Sequence, residues 1–291
     1  MKFALIDGYN LAFRAFYGLP ELTRADGFPT GALHGWVRTL WWVDDNVGAD
    51  RLVVFFDLGE PTRHTTLQAD YKAQRTETPA PLKQQIPYIK QWTRGMGYLG
   101  VEKDGVEADD LIASYCKHLT AEGHEVVIVS ADKDLTQLVN NEVMQWMPPP
   151  TANPRLGWRQ MDEAAVEAKF GVPPKMIPDY LALVGDTSDN IPGIAGVGPK
   201  TAAKWLLQYK SVEGVIQHCG ELNPKRFQGL VHAGQNDLRR NLQMTTLDCT
   251  QPIEPLGEGH PDADLVINLL TEMGMTRSAD EAVKRFAKRQ G

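Results

Sequence analysis

Nine acidic residues in this sequence have the spacing of a metal-binding site. They occur at five places, each directly after an apolar run or at the predicted start of a helix or turn. The nine are Asp7, Asp57, Glu107, Asp109, Asp110, Asp132, Asp134, Asp186 and Asp189. Carboxylates that converge within a few ångströms cannot all stay ionised unless cations lie between them. Hard cations on oxygen ligands usually act on phosphates, so the acids predict metal-dependent phosphate chemistry.

Short strands and helices alternate along the first half of the chain. The strand-like runs are β-branched or aromatic, and they are 2–6, 52–56 and 125–129. The helix-like segments around them are 31–47, 82–96 and 107–122. This alternation predicts βαβ units and a parallel sheet. Such sheets bind ligands at the carboxyl-terminal ends of their strands, which is where several of the acids fall.

Each acid taken alone has a simpler explanation. An aspartate after a strand, such as Asp7 or Asp57, is often a turn former or a helix N-cap. Acids in a first helical turn, such as Glu107 and Asp109, favour the positive end of the helix dipole. These explanations account for one or two acids, but not for five acidic clusters at five consecutive loop or helix-start positions. The set as a whole predicts one converging site.

Composition and charge limit the class of protein. The chain has 291 residues, 42% of them hydrophobic and 23% charged, which suits one large globular domain or two modest ones. We find no signal peptide and no apolar stretch long enough to cross a bilayer. Three widely spaced cysteines favour a reducing compartment. The net charge is −7, but without the nine site acids the 30 basic residues outnumber the remaining acids, so a nucleic-acid partner is permitted.

Two further segments have features of nucleic-acid contacts. Residues 58–81 form a long connection rich in Thr, Pro and charge, and connections of this length are often binding loops. The segment 191–203 places Gly193, Gly196 and Gly198 before Pro199, Lys200 and Thr201. Glycines let backbone N–H groups approach a phosphate, and a helix N-terminus with a lysine adds positive potential. A helix–hairpin–helix that grips a nucleic-acid backbone needs these features.

These motifs together resemble those of a known family. From about residue 2 to about residue 250 the chain resembles the 5′ nuclease domain of bacterial DNA polymerase I and, more widely, the flap endonucleases. The resemblance rests on Leu-Ile-Asp7-Gly-Tyr-Asn, Val-Phe-Phe-Asp57, Tyr71-Lys72-Ala-Gln-Arg75, Gly-Val-Glu107-Ala-Asp109-Asp110, Ala-Asp132-Lys-Asp134-Leu, Gly-Asp186-Thr-Ser-Asp189-Asn-Ile-Pro-Gly and Gly-Val-Gly-Pro-Lys200-Thr-Ala. All the acids of the family's metal site are present, which is typical of active members. The segment 147–160 departs from the family pattern.

The resemblance implies a fold and its division. We expect an α/β, PIN-like 5′ nuclease fold, with a mostly parallel central sheet flanked by helices. The metal-bearing region would span 1–160, with a helical arch at about 58–85. A helical region would span 161–291, with a DNA-binding helix–three-turn–helix at about 178–210. Polymerase I continues into further domains, so this chain resembles either a free-standing enzyme or an excised domain.

The resemblance also implies roles for individual residues. Asp7, Asp57, Glu107 and Asp109 would hold a first Mg²⁺ or Mn²⁺ ion. Asp132, Asp134 and Asp186, with Asp109 nearby, would hold a second. Asp110 and Asp189 would act on the chemistry through metal-bound water. Lys72 would contact the scissile phosphate, with Arg75 and Arg14 on nearby phosphates. The implied DNA contacts also include Tyr71, Gly193, Gly196, Gly198, Lys200 and Thr201, with a potassium ion at the helix–three-turn–helix.

The implied activity is that of a divalent-metal-dependent 5′→3′ exonuclease and 5′ flap endonuclease. Its partners would be DNA with a 5′ flap, a nick or a free 5′ end, RNA primer–DNA hybrids, and a polymerase. We expect a monomer in the cytoplasm of a bacterial cell or phage-infected host. One alternative is a PIN-like ribonuclease, which shares the sheet and some acids but generally lacks the glycine-rich hairpin and the arch. The other is a non-catalytic DNA-junction-binding module, which the intact acid set disfavours.

Overall fold

A six-stranded sheet forms the centre of the protein, seen here in a computed structural model that describes residues 1–68, 70–72 and 77–290. Its strands are β1 (Lys2–Asp7), β2 (Arg51–Leu58), β3 (Leu99–Asp104), β4 (Glu125–Val129), β5 (Val143–Met147) and β6 (Arg159–Met161). Their order is β3-β2-β1-β4-β5-β6, and only β6 pairs antiparallel. The predicted α/β architecture with a mostly parallel sheet is confirmed. Because the order reverses between β2-β1 and β1-β4, the carboxyl-terminal edge at β1 is a topological switch point, where such sheets bind ligands.

Thirteen α-helices surround the sheet or extend from it in the part of the chain that the structure describes. They are α1 (Gly8–Gly18), α2 (Gly31–Val47), α3 (Thr62–Leu67), α4 (Ala80–Gly95), α5 (Ala108–Ala121), α6 (Glu163–Phe170), α7 (Ile177–Val184), α8 (Pro199–Tyr209), α9 (Val212–Gln217), α10 (Gln228–Ala233), α11 (Gln235–Thr245), α12 (Ala263–Glu272) and α13 (Thr276–Gln290). The helices expected at 31–47, 82–96 and 107–122 are α2, α4 and α5. No described helix is long and apolar enough to span a membrane.

Strands β1, β2 and β4 are buried on both faces along most of their length, which explains their continuous apolar runs. In β1, Ile6 faces a core that includes Trp36 of α2 and Leu82 of α4. The neighbouring Leu5 faces the opposite core, which includes Leu111 of α5. Apolar burial on both faces holds β1 rigidly in the middle of the sheet, and this fixes the acid at its carboxyl end.

A second core organises the helices from α6 to α11. Between α7 and α8 lies a small antiparallel hairpin of β7 (Gly185–Asp186) and β8 (Ile191–Pro192). The predicted helix–three-turn–helix at 178–210 corresponds to α7, this hairpin and α8. After α11 the chain returns to the central sheet. Val266 of α12 and Phe286 of α13 belong to the same core as Ile6. The division of the chain at residue 160 stays a prediction.

Candidate metal centre

Parallel register brings the first group of acids to one edge of the sheet. Asp7 is the last residue of β1 and pairs in register with Phe55, so Asp57 lies just beyond it on β2. Glu107 follows β3 as the N-cap residue of α5. The backbone N–H of Ala108 donates to Asp57 Oδ1 at 2.7 Å, which fixes the start of α5 against β2. The acids on β1, β2 and α5 therefore share one face of the switch point.

Asp7 has an environment that opposes its ionisation. Hydrogen bonds from the backbone N–H of Asn10 at 3.1 Å and the hydroxyl of Ser130 at 2.8 Å favour the carboxylate, but they do not outweigh the opposing effects. Burial raises the pKa of Asp7 from 3.8 to about 7, and the charge of Asp57 adds to the rise. Burial also raises the pKa of Asp109 well above its usual range, with Asp7 as the next cause. Without a cation, these carboxyls hold protons at pH values where ordinary aspartates are ionised.

The second group combines the loop after β4 with the β7–β8 hairpin. One ligand oxygen from each of Asp134, Asp186 and Asp189 lies within 4.8 Å of the other two. Asp132 Oδ1 accepts from the backbone N–H of Asp134 at 2.9 Å, a tight turn that presents both side chains on the same loop. Burial raises the pKa of Asp134 well above its usual range, and Asp132 raises it further. These three acids plus Asp132 form a second oxygen-lined position beside the first.

Two lysines lie among the acids. Lys133 Nζ donates to Asp186 Oδ2 at 2.6 Å, and Lys72 Nζ donates to Glu107 Oε1 at 2.5 Å. Burial opposes the ionisation of Asp186, but the hydrogen bonds from Lys133 and Ser188 and the charge of Lys133 together outweigh it, so the pKa of Asp186 is lowered. Lys72 also lies 3.9 Å from Asp189 and is one of three non-glycine residues found with positive φ in the described chain. Each ammonium group neutralises part of the acid cluster.

Glu107 is surrounded by three side chains from the segment after β2. Tyr71 donates its hydroxyl to Glu107 Oε2 at 3.2 Å, and His64 Nδ1 lies 2.6 Å from the same oxygen. The His64 and Tyr71 rings stack with centroids 4.6 Å apart. Burial raises the pKa of Glu107, but His64 and Lys72 outweigh it and hold the pKa at about 2. Glu107 is therefore ionised and oriented at neutral pH.

Asp110 contacts different groups from its neighbours on α5. Its Oδ1 accepts the backbone N–H of Asp248 at 2.8 Å, and Arg63 Nη1 lies 3.4 Å from the same atom. Burial raises the pKa of Asp110. The described contacts tie this carboxylate to the segment after α11. Its predicted role in holding a metal-bound water stays a prediction.

The donor set fits hard divalent cations. Carboxylate oxygens are what the two groups of acids offer, and oxygen is the ligand that Mg²⁺ and Mn²⁺ prefer. Asp134 Oδ1 is buried and finds no hydrogen-bond donor among the described residues. A buried, orphaned carboxylate oxygen is costly, and coordination to a cation would remove that cost. The raised pKa values of Asp7, Asp109 and Asp134 also fit cation binding. They result from burial and from repulsion between carboxylates, and a bound cation would offset both.

Apart from Tyr71, the described residues predicted to contact DNA lie on α1 and in the segment that leads into α8. Arg14 is half-buried on α1, and burial lowers its pKa with help from the charge of Arg159. Gly198 is the N-cap of α8, with Lys200 exposed in the first turn and Thr201 beside it. Gly196 has φ +79°, which suits glycine, and Arg75 lies outside the described residues.

Gly193 also has a packing role. A Cβ there would lie 2.3 Å from the carbonyl carbon of Val184, so the close approach of the chain after β8 to the end of α7 requires glycine. This requirement holds whether or not a phosphate binds nearby. The DNA-binding role of Gly193 stays a prediction.

Sequence reasoning assigned no role to three residues that contact the site. His64 and Arg63 come from α3, and Lys133 lies between two predicted metal ligands. The signal for Lys133 was its position inside an acidic pair, where a surface charge was the simpler interpretation. The contacts of His64 and Arg63 join residues more than 40 positions apart, so local spacing carries no signal for them.

Family models for the two parts of a 5′-3′ exonuclease match this chain. The N-terminal resolvase-like domain matches residues 2–171, and the C-terminal SAM-fold domain matches residues 172–259. The chain belongs to the 5′-3′ exonuclease family. The predicted family and enzyme class are thereby confirmed.

Relatives of this 5′-3′ exonuclease occur both as separate proteins and within polymerases. A 5′-3′ exonuclease of Aquifex aeolicus is 39% identical over 287 residues, covering 97% of this chain and 95% of the relative. The thermostable DNA polymerase I of Thermus caldophilus is 35% identical over 264 residues. That match covers 89% of this chain, which spans 30% of the length of the polymerase.

A solved structure shows the same fold. The flap endonuclease of bacteriophage T5, in a pseudo-enzyme–product complex with DNA and metal ions, aligns with a TM-score of 0.69. The alignment covers 98% of each chain at 20% sequence identity. The PIN-like 5′ nuclease fold predicted from the sequence is confirmed.

Proposed function

We propose that this 5′-3′ exonuclease is also a structure-specific 5′ flap endonuclease that uses two Mg²⁺ ions. The observation that carries the proposal is the convergence of Asp134, Asp186 and Asp189, whose oxygens lie within 4.8 Å of one another, beside the acids of β1, β2 and α5. The T5 flap endonuclease, which shares the fold, was solved with DNA and metal ions. Two-metal sites of carboxylates are the usual solution for phosphodiester hydrolysis.

The acids divide between the two ions. Asp7, Asp57, Glu107 and Asp109 would hold the first ion. Asp132, Asp134 and Asp186, with Asp109 between the groups, would hold the second. When bound, the ions supply a water of lowered pKa and stabilise charge on the leaving oxygen. Asp110 and Asp189 would orient metal-bound water, since Mg²⁺ keeps several waters.

Lys72 is proposed to act on the scissile phosphate, with Tyr71 as a DNA contact beside it. Lys72 keeps its charge, because Glu107 and Asp189 outweigh the burial that lowers its pKa, and the result is a pKa above the usual range. Its ammonium lies 4.9 Å from the centre of the Tyr71 ring, which limits where it can reach. A cation held in place before substrate arrives stabilises charge in the transition state without reorganisation. Arg75 is proposed to assist from the same connection.

Uncompensated positive charge supports a DNA path beside the metals. Among the described residues, no carboxylate lies within ion-pairing distance of Arg14 or Arg159, although they are close enough for Arg159 to lower the pKa of Arg14. Half-buried arginines with like-charged neighbours are stabilised by phosphates. The positive N-terminal end of α8, with Lys200 and Thr201, is proposed to hold the duplex backbone.

Further features of the proposal rest on the family resemblance and the bacterial relatives. The substrates would include nicks, free 5′ ends and RNA primer–DNA hybrids, and the protein would act as a monomer in the bacterial cytoplasm. A potassium ion would bind at the 185–205 segment, so KCl should support duplex binding better than NaCl at equal ionic strength. The polymerase relative supports a polymerase as a working partner.

One assay tests the central proposal. The protein is incubated with a 5′-labelled DNA flap, a nicked duplex, single-stranded DNA and single-stranded RNA, each with Mg²⁺ or with EDTA. We expect cleavage at the flap junction with Mg²⁺ and none with EDTA. Asp134→Asn should bind the flap and release no product, while the exposed Asp280→Asn on α13 should cleave normally. A preference for single-stranded RNA, or binding without any metal-dependent product, would reject the proposal.

A further inference from the structure

Lys133 reaches from one part of the metal centre to another. It follows β4, between Asp132 and Asp134, yet its ammonium contacts the β7–β8 hairpin. Nζ lies 2.6 Å from Asp186 Oδ2 and 3.7 Å from Asp134 Oδ1. Its side chain is only one-third exposed, with a relative accessibility of 33%. The ammonium group therefore occupies the oxygen-lined position that the second group of acids creates.

Among the residues that the structure describes, little other positive charge lies near the carboxylates of this position. Asp134 Oδ1, buried and without a hydrogen-bond donor, has Lys133 at 3.7 Å. Asp189 has Lys72 at 3.9 Å, but that lysine donates its short hydrogen bond to Glu107 instead. Ammonium and a hard metal ion both seek carboxylate lone pairs, so they compete for the same oxygens.

The surroundings of Lys133 on its other side are basic. Its charge is near enough to lower the pKa of Lys169 on α6, where burial and Arg159 have the same effect. Asp132 acts on Lys169 in the opposite direction but does not outweigh these effects. If the ammonium leaves Asp186, it therefore remains near a group of cations that is only partly compensated by carboxylates. An incoming phosphate group would neutralise that charge.

We propose that Lys133 is a tethered counter-cation that occupies the position of the second metal ion and is displaced from Asp186 when that ion binds. The inference deepens the proposed function and rests on it. Without DNA, the second ion must exchange with the lysine, which weakens its binding. With DNA, the released ammonium pairs with a phosphate, so substrate and second ion favour each other's binding. By thermodynamic linkage the two effects are equal in size.

Calorimetric titration with Mn²⁺ in the absence of DNA tests the exchange. In the unmodified protein we expect one stronger and one weaker ion. Lys133→Met keeps much of the side-chain length and removes the charge, and it should strengthen the weaker ion about tenfold. Lys133→Arg, the matched control, keeps the charge and should leave that affinity weak. Equal affinities in Lys133→Met and the unmodified protein would overturn the inference.

A flap that cannot be cleaved tests the link to substrate. The flap should increase the affinity of the unmodified protein for the more weakly bound Mn²⁺ ion. In Lys133→Met the increase should be much smaller. Equal strengthening in both proteins would contradict the released-ammonium step. Cleavage by the unmodified protein with Mg²⁺ is measured on the same preparation. If the unmodified protein does not cleave, the proposed function itself is rejected. If it cleaves, but Lys133→Met and the unmodified protein bind Mn²⁺ with equal affinities, only the role of Lys133 is rejected.

A crystal structure of the unmodified protein with Mn²⁺ provides a test that needs no variant. We expect an anomalous peak beside Asp134 and Asp186, with Lys133 Nζ moved out of hydrogen-bonding distance of Asp186. An ion at that position with the Lys133–Asp186 hydrogen bond intact would disprove displacement. This measurement decides the question even if Lys133→Met folds poorly.

Discussion

The Nδ1 atom of His64 lies 2.6 Å from Oε2 of Glu107, and the Nε2 atom of the same ring lies 3.3 Å from the carbonyl oxygen of Met244. His64 thus joins α3, at the start of the connection predicted as an arch, to the end of α11 and to a proposed metal ligand. Groups that orient metal ligands from behind commonly affect metal affinity as strongly as some ligands do.

His64→Phe should therefore impair the metal centre while leaving the DNA-binding surface in place. We expect the cleavage rate to fall about 10- to 100-fold and the Mg²⁺ requirement to rise, since Glu107 loses its orienting contact. Flap affinity in Ca²⁺ should change little. His118→Phe, at an exposed position on α5, is the matched control and should behave like the unmodified protein. An unchanged Mg²⁺ requirement in His64→Phe would show that the contact does not position Glu107.

The raised pKa values predict how stability depends on pH without metal. A carboxyl such as Asp7, with its pKa raised from 3.8 to about 7, contributes stability that is full below about pH 4 and is lost as pH rises through 7. Asp109 and Asp134 act in the same direction. The lowered pKa of Glu107 changes stability with pH in the opposite direction, but its value of about 2 places that change below the range from pH 4 to 7.

We expect the thermal midpoint of the metal-free protein to decrease between about pH 5 and about pH 8, and Mg²⁺ to remove much of that decrease. Asp7→Asn, which cannot ionise, should flatten the metal-free profile and reduce the stabilisation by Mg²⁺. Scanning calorimetry with EDTA and with Mg²⁺ measures both. A metal-free midpoint that rises across this range would contradict the raised pKa values of the cluster.

The sequence predicts the positions of the acids more completely than it predicts the side chains that contact them. Asp7 and Asp57 end apolar runs, so strand alternation was enough to bring them to one edge. Strand β3 was not predicted, because Leu99–Asp104 alternates half-buried and exposed residues and contains Gly100, Glu102 and Lys103. The strand nevertheless decides where Glu107 begins α5.

The cations of the site were harder to predict for a different reason. Lys133 binds Asp186 across 53 positions of sequence, and His64 meets Glu107 across 43. Such pairs follow from how two cores and a connection pack together, and neither hydrophobic period nor local spacing encodes that packing. The family resemblance supplied the ligand set, whereas the counter-charges required the folded chain.

Lys72→Met tests whether this lysine acts in the chemical step. Its ammonium is held by Glu107 within the site, and removing one preorganised charge should slow cleavage by about 10²–10³-fold. Duplex affinity should weaken far less, because α8 is proposed to carry that contact. Lys83→Met, at an exposed lysine near the start of α4, controls for the loss of a charge. Single-turnover rates and fluorescence anisotropy separate the two effects, and equal losses in both would remove the catalytic role.

Arg63 should stabilise the protein by fastening α3 to the end of α11. Its Nη2 donates to the carbonyl oxygens of Gln243 at 2.9 Å and Thr246 at 2.8 Å, while Nη1 lies 3.4 Å from buried Asp110. Arg63→Met leaves that carboxylate without its cation, so we expect a loss of about 2 kcal/mol in the free energy of unfolding.

Urea denaturation of a double-mutant cycle isolates the Arg63–Asp110 contact. Arg63→Met, Asp110→Asn and the double variant are compared, and the double variant should lose less stability than the two single losses combined. Arg63→Lys should recover only part of the loss, since one ammonium cannot reach two carbonyls and a carboxylate as a guanidinium does.

The same Asp110→Asn protein tests the predicted water-holding role: a raised Mg²⁺ requirement for cleavage supports it. Lost stability with an unchanged Mg²⁺ requirement would restrict Asp110 to anchoring Arg63 and the Asp248 backbone.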